Sequence, residues 1–252
     1  MTESSVGGPV GRLGGRLAGR LALITGASRG LGAAAALAYA AEGAHCVLVA
    51  RTVGGLEEVD DKIKAIGGSA TLVPLDVTDG DGLDRLGAAL YERFGRLDVL
   101  LVNAGILGTL SPVGHFEPKI FERVMAVNVT ANWRLMRSMD PLLRRSDAGR
   151  AIFVTSGVSR RIVPYWGAYA ASKAALDMLV GTYAAEVAHT QVRVNLFNPG
   201  PMRTFMRREA FPGENEAQQT PPEAHGESLI RLALPSCTLN GEWIAGDEAL
   251  KV

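Results

Sequence analysis

Cysteine is scarce in this 252-residue chain: Cys46 and Cys237 stand far apart in apolar surroundings, with no C-x-x-C spacing. That argues against a disulfide framework or a zinc site and leaves two buried thiols as the expectation, with no metal. An excess of charge of one sign is also missing, since 26 basic side chains face 26 acidic ones. No overall field draws such a chain toward nucleic acid or an anionic membrane, so the expected ligand is a small molecule. No apolar run approaches the roughly 18 residues that a membrane span requires, and the opening "MTESSVGGPVGRLGGRLAGR" lacks the continuous apolar core of a secretory signal. A cytoplasmic location is the expectation. With five glycines before Arg16 and neither helical nor strand period, residues 1–19 read as a flexible tail ahead of one domain spanning 20–252. A targeting peptide is the alternative for that leader, although its glycine content makes a poor amphipathic helix.

What is present is a repeated alternation. The apolar run "RLALITG" leads into the alanine-rich "GLGAAAALAYAAEG", and the pattern recurs. "HCVLVAR" precedes a helix around 55–66, "ATLVPLDV" one around 80–94, and "LDVLLVNAG" one around 117–138. "AIFVTS" precedes the helix with Tyr169, "VRVNLFNPG" supplies a sixth strand, and "GEWIAGD" is a candidate seventh. Strands alternating with helices imply a parallel sheet, and strands that read as nearly unbroken apolar runs imply helices on both faces. The expected fold class is therefore α/β, a doubly wound parallel sheet of about seven strands.

Open parallel sheets bind ligands beyond the carboxyl ends of their strands. The first strand ends in "TGASRGLG", with Gly26, Gly30 and Gly32 at the strand-to-helix turn. Glycines there let backbone approach a pyrophosphate, whose charge the helix N-terminus favours. Beyond the fifth strand, Tyr169 and Lys173 are four residues apart, so on a helix both side chains share one face. An ammonium fixed beside a phenol makes the phenol easier to ionise. A lone Y-x-x-x-K is ordinarily a packed tyrosine and a solvated lysine, so the rest of the chain decides its meaning.

From about Arg20 onward the chain resembles the short-chain dehydrogenase/reductase family, whose sheet is of the Rossmann type. Thr25, Gly26, Gly30 and Gly32 match the family's nucleotide turn, and "VNAG", with Asn103, Ala104 and Gly105, matches its N-N-A-G except that Val102 replaces the first asparagine. Asp76 with Val77 is similar to its adenine-side aspartate, and Asn128, Ser156, Tyr169 and Lys173 to its active-site quartet, all in the family's order. The resemblance implies that Tyr169 is the general acid in carbonyl reduction and that Lys173 lowers its pKa while bonding the nicotinamide ribose. It also implies that Ser156 bonds the substrate oxygen, and that Asn128 holds a helix irregularity and a water leading from Lys173 to solvent. Further cofactor contacts fall on Ser28, Arg29, Leu31, Arg51, Thr52, Pro199, Gly200, Met202 and Thr204. Residues 201–222, with Phe205, Met206 and Phe211 among prolines and polar residues, have the composition of a substrate lid with an apolar underside. Tyr165, with no lysine one turn on, is expected to line the pocket with Trp166.

Members that prefer NAD usually place an acidic residue after the second strand, which repels a 2′-phosphate. Here Ala50, Arg51 and Thr52 stand there, and Arg29 approaches from the glycine turn, so NADP(H) is favoured and NAD(H) stays open. The expected activity is an NADP-dependent oxidoreductase that reduces a carbonyl compound or oxidises the matching secondary alcohol. A 3-oxoacyl thioester reductase, or a nucleotide-binding sensor without turnover, is the alternative. Arg160, Arg161, Arg203, Arg207 and Arg208 fall in segments that frame the pocket entrance, where they are either solvated loop charges or a site for an anionic substrate. Family resemblance also implies a homodimer or homotetramer paired through the Tyr169 helix and its neighbour, although the C-terminal "LNGEWIAGDEALKV" departs from the usual end-on contact segment.

Overall fold

The structure, a computed structural model, describes residues 14–246. Strands β1 (Leu21–Thr25), β2 (His45–Ala50), β3 (Ser69–Pro74), β4 (Val99–Val102), β5 (Arg150–Val154), β6 (Arg193–Asn198) and β7 (Trp243–Ala245) form one sheet. Helices α1 (Gly30–Ala41), α2 (Val53–Ala65), α3 (Gly80–Phe94), α4 (Pro118–Met125), α5 (Ala131–Leu143), α6 (Gly167–Glu186), α7 (Phe205–Ala210) and α8 (Gly226–Ala233) connect or cover it. Every strand pair is parallel, in the order β3-β2-β1-β4-β5-β6-β7. Chain order reverses between β1 and β4, which opens a crevice at the carboxyl ends of those two strands.

The apolar runs are explained by where their side chains go. Leu21, Leu23, Val47, Val49, Leu100, Val102 and Phe153 point to one face, against residues of α3, α5 and α6. Their neighbours Ala22, Ile24, Cys46, Leu48, Val99, Leu101 and Ile152 point to the other, against α1, α2 and α8. The two-residue period of a strand sends alternate side chains into opposite layers, so covering both layers makes the strands apolar along most of their length. The edge strand β3 departs from this, with every residue partly or fully exposed. Val102 lies in the α3/α5 layer at 2% exposure. The asparagine that the family motif carries there would put an amide among hydrocarbon.

Local chemistry sets the helix ends. The Asp79 carboxylate accepts from the Gly82 amide at 2.9 Å to start α3, and Gly95, at φ 73°, ends it in the left-handed region that glycine enters without strain. The expected helix over 117–138 is instead α4 and α5 joined by a π turn at Ala126–Thr130, and it runs on to Leu143. Asn128 lies in that turn, and the Asn132 amide donates to the Val127 and Asn128 carbonyls at 3.1 and 3.0 Å. The seventh strand is short, and Asn195 holds its approach through bonds to the Leu239 carbonyl and the Glu242 amide. Both cysteines are free, Cys46 buried and Cys237 partly exposed. Among the described residues no helix is long and apolar enough to cross a membrane, and no group of three or more His, Cys, Asp or Glu could hold a metal ion.

The boundary of the tail is corrected. Residues 1–13 and 247–252 lie outside the described residues. Residues 14–19 form a turn packed on the domain: Leu17 is 0% exposed within the α1/α2/α8 layer, and its amide donates to the Glu42 carbonyl at 2.9 Å. Arg16 pairs with Glu42 and Glu227, each at 2.7 Å. Glycine-rich composition concealed one apolar anchor. Leu17→Ala should therefore cost roughly 2–5 kcal/mol, as for a buried leucine. Chemical denaturation reads this directly, and an unchanged midpoint would show that the turn is not docked.

Candidate active site

The turn after β1 is built so tightly that only glycine fits at two points. Gly26 has φ +65°, and a Cβ on Gly32 would lie 2.3 Å from the Gly26 carbonyl oxygen and 2.6 Å from Asn103 Nδ2. Asn103 fastens this turn from β4. Its amide nitrogen Nδ2 donates to the Thr25 and Gly26 carbonyls at 3.0 and 3.3 Å, while Thr25 Oγ1 accepts the Asn103 and Ala104 amides at 3.0 and 3.1 Å. Arg29 heads α1 without a side-chain cap, so the amides of the first turn face the crevice with no side chain bonded to them. A close-fitting glycine turn under an uncapped helix N-terminus suits a pyrophosphate. Leu31 packs beneath the turn, and Ser28 lies against the start of α2, where a Cβ on Gly55 would meet it at 2.9 Å.

The neighbouring positions divide. Thr52 heads α2 with no side-chain cap bond, and the Arg51 side chain is 63% exposed with Nη1 3.8 Å from Asp76 Oδ2. Asp76 is bound elsewhere as well: Arg123 Nη2 donates to it at 2.9 Å, and the Thr78 amide and hydroxyl at 2.9 and 2.7 Å. Burial favours its neutral form, but these bonds outweigh burial and hold the carboxyl at about 2. Val77 faces the core. The Arg29 guanidinium sits 4.7 Å above the Phe205 ring, against the lid.

The expected quartet gathers at the carboxyl ends of β4 and β5. The Lys173 ammonium donates to the Val154 carbonyl at 2.8 Å and lies 5.8 Å from the centre of the Tyr169 ring. Gly105 borders both groups: a Cβ there would make an ordinary contact with Nζ at 3.7 Å and a tight one with Asn128 Oδ1 at 3.3 Å. Asn128, fully buried, accepts the Ile106 amide at 2.9 Å and donates to the Ile106 carbonyl at 2.9 Å and to Ser172 Oγ at 3.0 Å. The π turn thus aims an amide at the loop after β4. Ser156 caps the short turn after β5, accepting the Val158 amide, and its hydroxyl lies close enough to favour ionisation of the Tyr169 phenol.

In this arrangement burial pushes the Tyr169 phenol up to about 12, with Ser156 opposing, and pulls the Lys173 ammonium down to about 8, with Asp177 opposing. Burial therefore outweighs any lowering of the phenol by the ammonium, and the segment after β6 contributes to it. Met206 and Ala210 of α7, with Leu107, Leu110, Val158, Val163 and Trp166, pack around Tyr169 and leave it 8% exposed. Trp166 lines this cluster as expected, its ring 6.0 Å from that of Tyr169. Tyr165 does not: it is 60% exposed and holds φ 72°, the only left-handed non-glycine among the described residues, where its carbonyl accepts the Ser111 amide at 3.0 Å.

The lid is anchored by the Met202–Thr220 bridge, and Thr204 caps α7 by accepting the Arg207 amide at 3.2 Å. Its methyl would stand 3.6 Å from a Cβ on Gly30, so lid base and nucleotide turn adjoin. Pro199 and Gly200, the latter at φ 74°, turn the chain from β6 into this segment. The entrance arginines do not converge on Tyr169: Arg207 and Arg208 pair with Glu214 and Glu216, and Arg160 stacks on Trp243 at 4.5 Å. Sequence reading missed two parts of the site. One is the backbone of Ile106, which no side-chain pattern signals. The other is Asp177, which the four-residue spacing after Lys173 could have flagged.

A doubly wound sheet with this turn at its switch point and a Tyr–Lys pair beside it defines a nucleotide-dependent oxidoreductase architecture. The profile of the short chain dehydrogenase family matches residues 20–215. The chain is 37% identical over 230 residues to the uncharacterized oxidoreductase YciK of Escherichia coli, covering 90% of this chain and 86% of that protein. A solved structure described as a short chain dehydrogenase from Pseudomonas syringae superimposes with a TM-score of 0.89 at 39% identity, covering 98% of this chain and 99% of the other. Another, from Shigella flexneri and complexed with NADP, gives a TM-score of 0.88 at 34% identity over 92% and 98% of the two chains. The chain belongs to the short-chain dehydrogenase/reductase family.

Proposed function

We propose that the protein is an NADP(H)-dependent oxidoreductase that reduces the carbonyl group of an uncharged, largely apolar small molecule, or oxidises the matching secondary alcohol. The observation that carries this reading is the convergence of Ser156, Tyr169 and Lys173 beneath an apolar lid and beside the glycine turn. Gly26, Ser28, Arg29, Gly30, Leu31, Gly32, Asn103, Ala104, Gly105, Pro199, Gly200, Met202 and Thr204 would hold the nucleotide, which when bound supplies or accepts the hydride. Tyr169 gives its proton to the developing alkoxide, and Ser156 bonds the same oxygen. Lys173 keeps a positive charge beside the phenol and lies where it could also hold the nicotinamide ribose. Asn128 keeps the loop after β4 in place. A phenol at about 12 is a slow base at neutral pH, so the alcohol-oxidising direction needs the ammonium to act more strongly than it does in this arrangement. The apolar ring around Tyr169 and the internal pairing of Arg207 and Arg208 support an uncharged substrate over an acyl carrier thioester.

The test is a screen of carbonyl compounds with NADPH and NADH, followed spectrophotometrically. Tyr169→Phe should lower kcat by roughly 10²–10⁴ with nucleotide affinity nearly intact, because only the proton donor is removed. Turnover close to that of wild type would refute the assignment.

Cofactor choice is read at Arg51. Among the described residues Asp76 is the carboxylate paired with it, and Arg123 neutralises that carboxylate, so Arg51 remains able to meet a 2′-phosphate. A charge-assisted hydrogen bond of roughly 1.5–3 kcal/mol implies a preference for NADPH on the order of 10- to 100-fold in kcat/KM. Arg51→Asp should reverse it, as measured by kcat/KM with both cofactors.

Self-association is part of the same proposal. Val113, Phe121, Trp133 and Met178 are exposed apolar side chains, and a groove of about 390 Å³ lined by Val113, Phe116, Pro118, Phe121, Gly167 and Ala171 lies between α4 and α6. This is the face through which the family resemblance implies pairing. Light scattering at micromolar concentration should give a dimer or tetramer mass, and a monomer mass would remove the idea.

A further inference from the structure

Asp177 follows Lys173 by four residues and Tyr169 by eight, so all three stand on one face of α6. Its carboxylate takes a hydroxyl from each side of Ser156. Thr155 Oγ1 donates to Oδ1, and Ser159 Oγ lies 2.6 Å from Oδ2. The Ser159 amide donates to the Ser156 carbonyl at 3.0 Å, and the Ser159 hydroxyl, with one proton to share, stands 2.8 Å from that carbonyl as well as beside the carboxylate, so the turn is held to the helix and closed on itself. Thr155 is 3% exposed and its amide donates to the Phe197 carbonyl of β6 at 2.9 Å, which ties this same point to the sheet. An ionised carboxylate accepts on both oxygens and needs no donor in return, so it can grip two hydroxyls at once. An amide of the same shape can accept on one oxygen only.

We propose that Asp177 is a positioning residue for the reaction, acting through its grip on Thr155 and Ser159 to set where the Ser156 hydroxyl meets the phenol of Tyr169 and the substrate oxygen. The inference rests on the reductase reading given above. Its negative charge has a second effect, because it favours the Lys173 ammonium that burial disfavours. Among the described residues Tyr169 also faces Lys173, β5 presents the Val154 carbonyl to it, and a Cβ on Gly105 of the loop after β4 would lie near both it and Asn128 of the π turn. Loss of the Asp177 charge therefore lowers the pKa of Lys173 further, and the ammonium is lost at a lower pH.

Steady-state kinetics on Asp177→Asn, Thr155→Val and Thr155→Ser test this, with NADPH binding measured separately by fluorescence. Misplacing a reacting group by about 1 Å costs on the order of 10²-fold, so Asp177→Asn and Thr155→Val should each lower kcat by roughly 10- to 100-fold. NADPH affinity should hardly move, and Thr155→Ser, which keeps the hydroxyl, should retain wild-type kcat. Asp177→Asn should also shift the alkaline fall of kcat to lower pH. A purely structural role would lower thermal stability while leaving that pH profile unmoved. If Asp177→Asn and Thr155→Val keep wild-type kcat, or if Thr155→Ser fails as Thr155→Val does, the proposal is overturned. Should Asp177→Asn not fold, by circular dichroism, the Thr155 pair decides it alone. Wild-type turnover of no carbonyl at all overturns the reductase reading and this inference together, whereas normal wild-type turnover with unaffected variants overturns only the inference.

Discussion

Burial of the central parallel strands is the constraint on which the rest depends. β1, β2, β4 and β5 are buried along their length, so their side chains pack or, as Thr25 does, bond within the fold. Chemistry is pushed to the first residues past each strand end: Gly26 after β1, Asn103 after β4, Ser156 after β5 and Pro199 after β6. Their convergence is a geometric result of parallel pairing, since parallel strands put all their carboxyl ends on one side. A rigid sheet then holds groups from four distant chain segments without any of them contributing to the core.

Burial also sets the electrostatic character of the site. In water, an ammonium and a phenol a few ångströms apart would interact weakly. Here both are almost fully enclosed, and the cost of desolvating each charge exceeds what one gives the other, so the phenol titrates high and the ammonium low. Neutral dipoles compensate the lysine, chiefly the Val154 carbonyl, and the carboxylate of Asp177 acts from one turn away. Met206 and Trp166 pack against Tyr169 and take part in its enclosure.

Much of this was legible in the sequence because it is written in period and punctuation. Apolar runs of strand length separated by amphipathic helices gave the sheet and its order of elements, and the glycine spacing located the nucleotide turn. What escaped has physical reasons. The docked turn at Leu17 depends on one side chain in a glycine-rich segment, and no periodicity reveals a single anchor. The helix irregularity at Asn128 was implied by the family resemblance alone, because a π turn leaves too little mark on apolar spacing to be read from period. The titration of Tyr169 and Lys173 depends on how far the lid encloses them, which spacing along α6 does not encode. Charge count left two readings open at the entrance, because it does not show that Arg207 and Arg208 find partners seven and eight residues further along the same loop.

The contact between Arg29 and Phe205 joins two regions that would otherwise evolve separately. One residue belongs to the nucleotide turn and the other to the first position of the lid helix. Movement of α7 away from the turn would take the aromatic face from the guanidinium and leave Arg29 to solvent, so the position of α7 and the surroundings of Arg29 change as one variable. Replacing the Phe205 ring therefore also alters how firmly the turn is held beneath it.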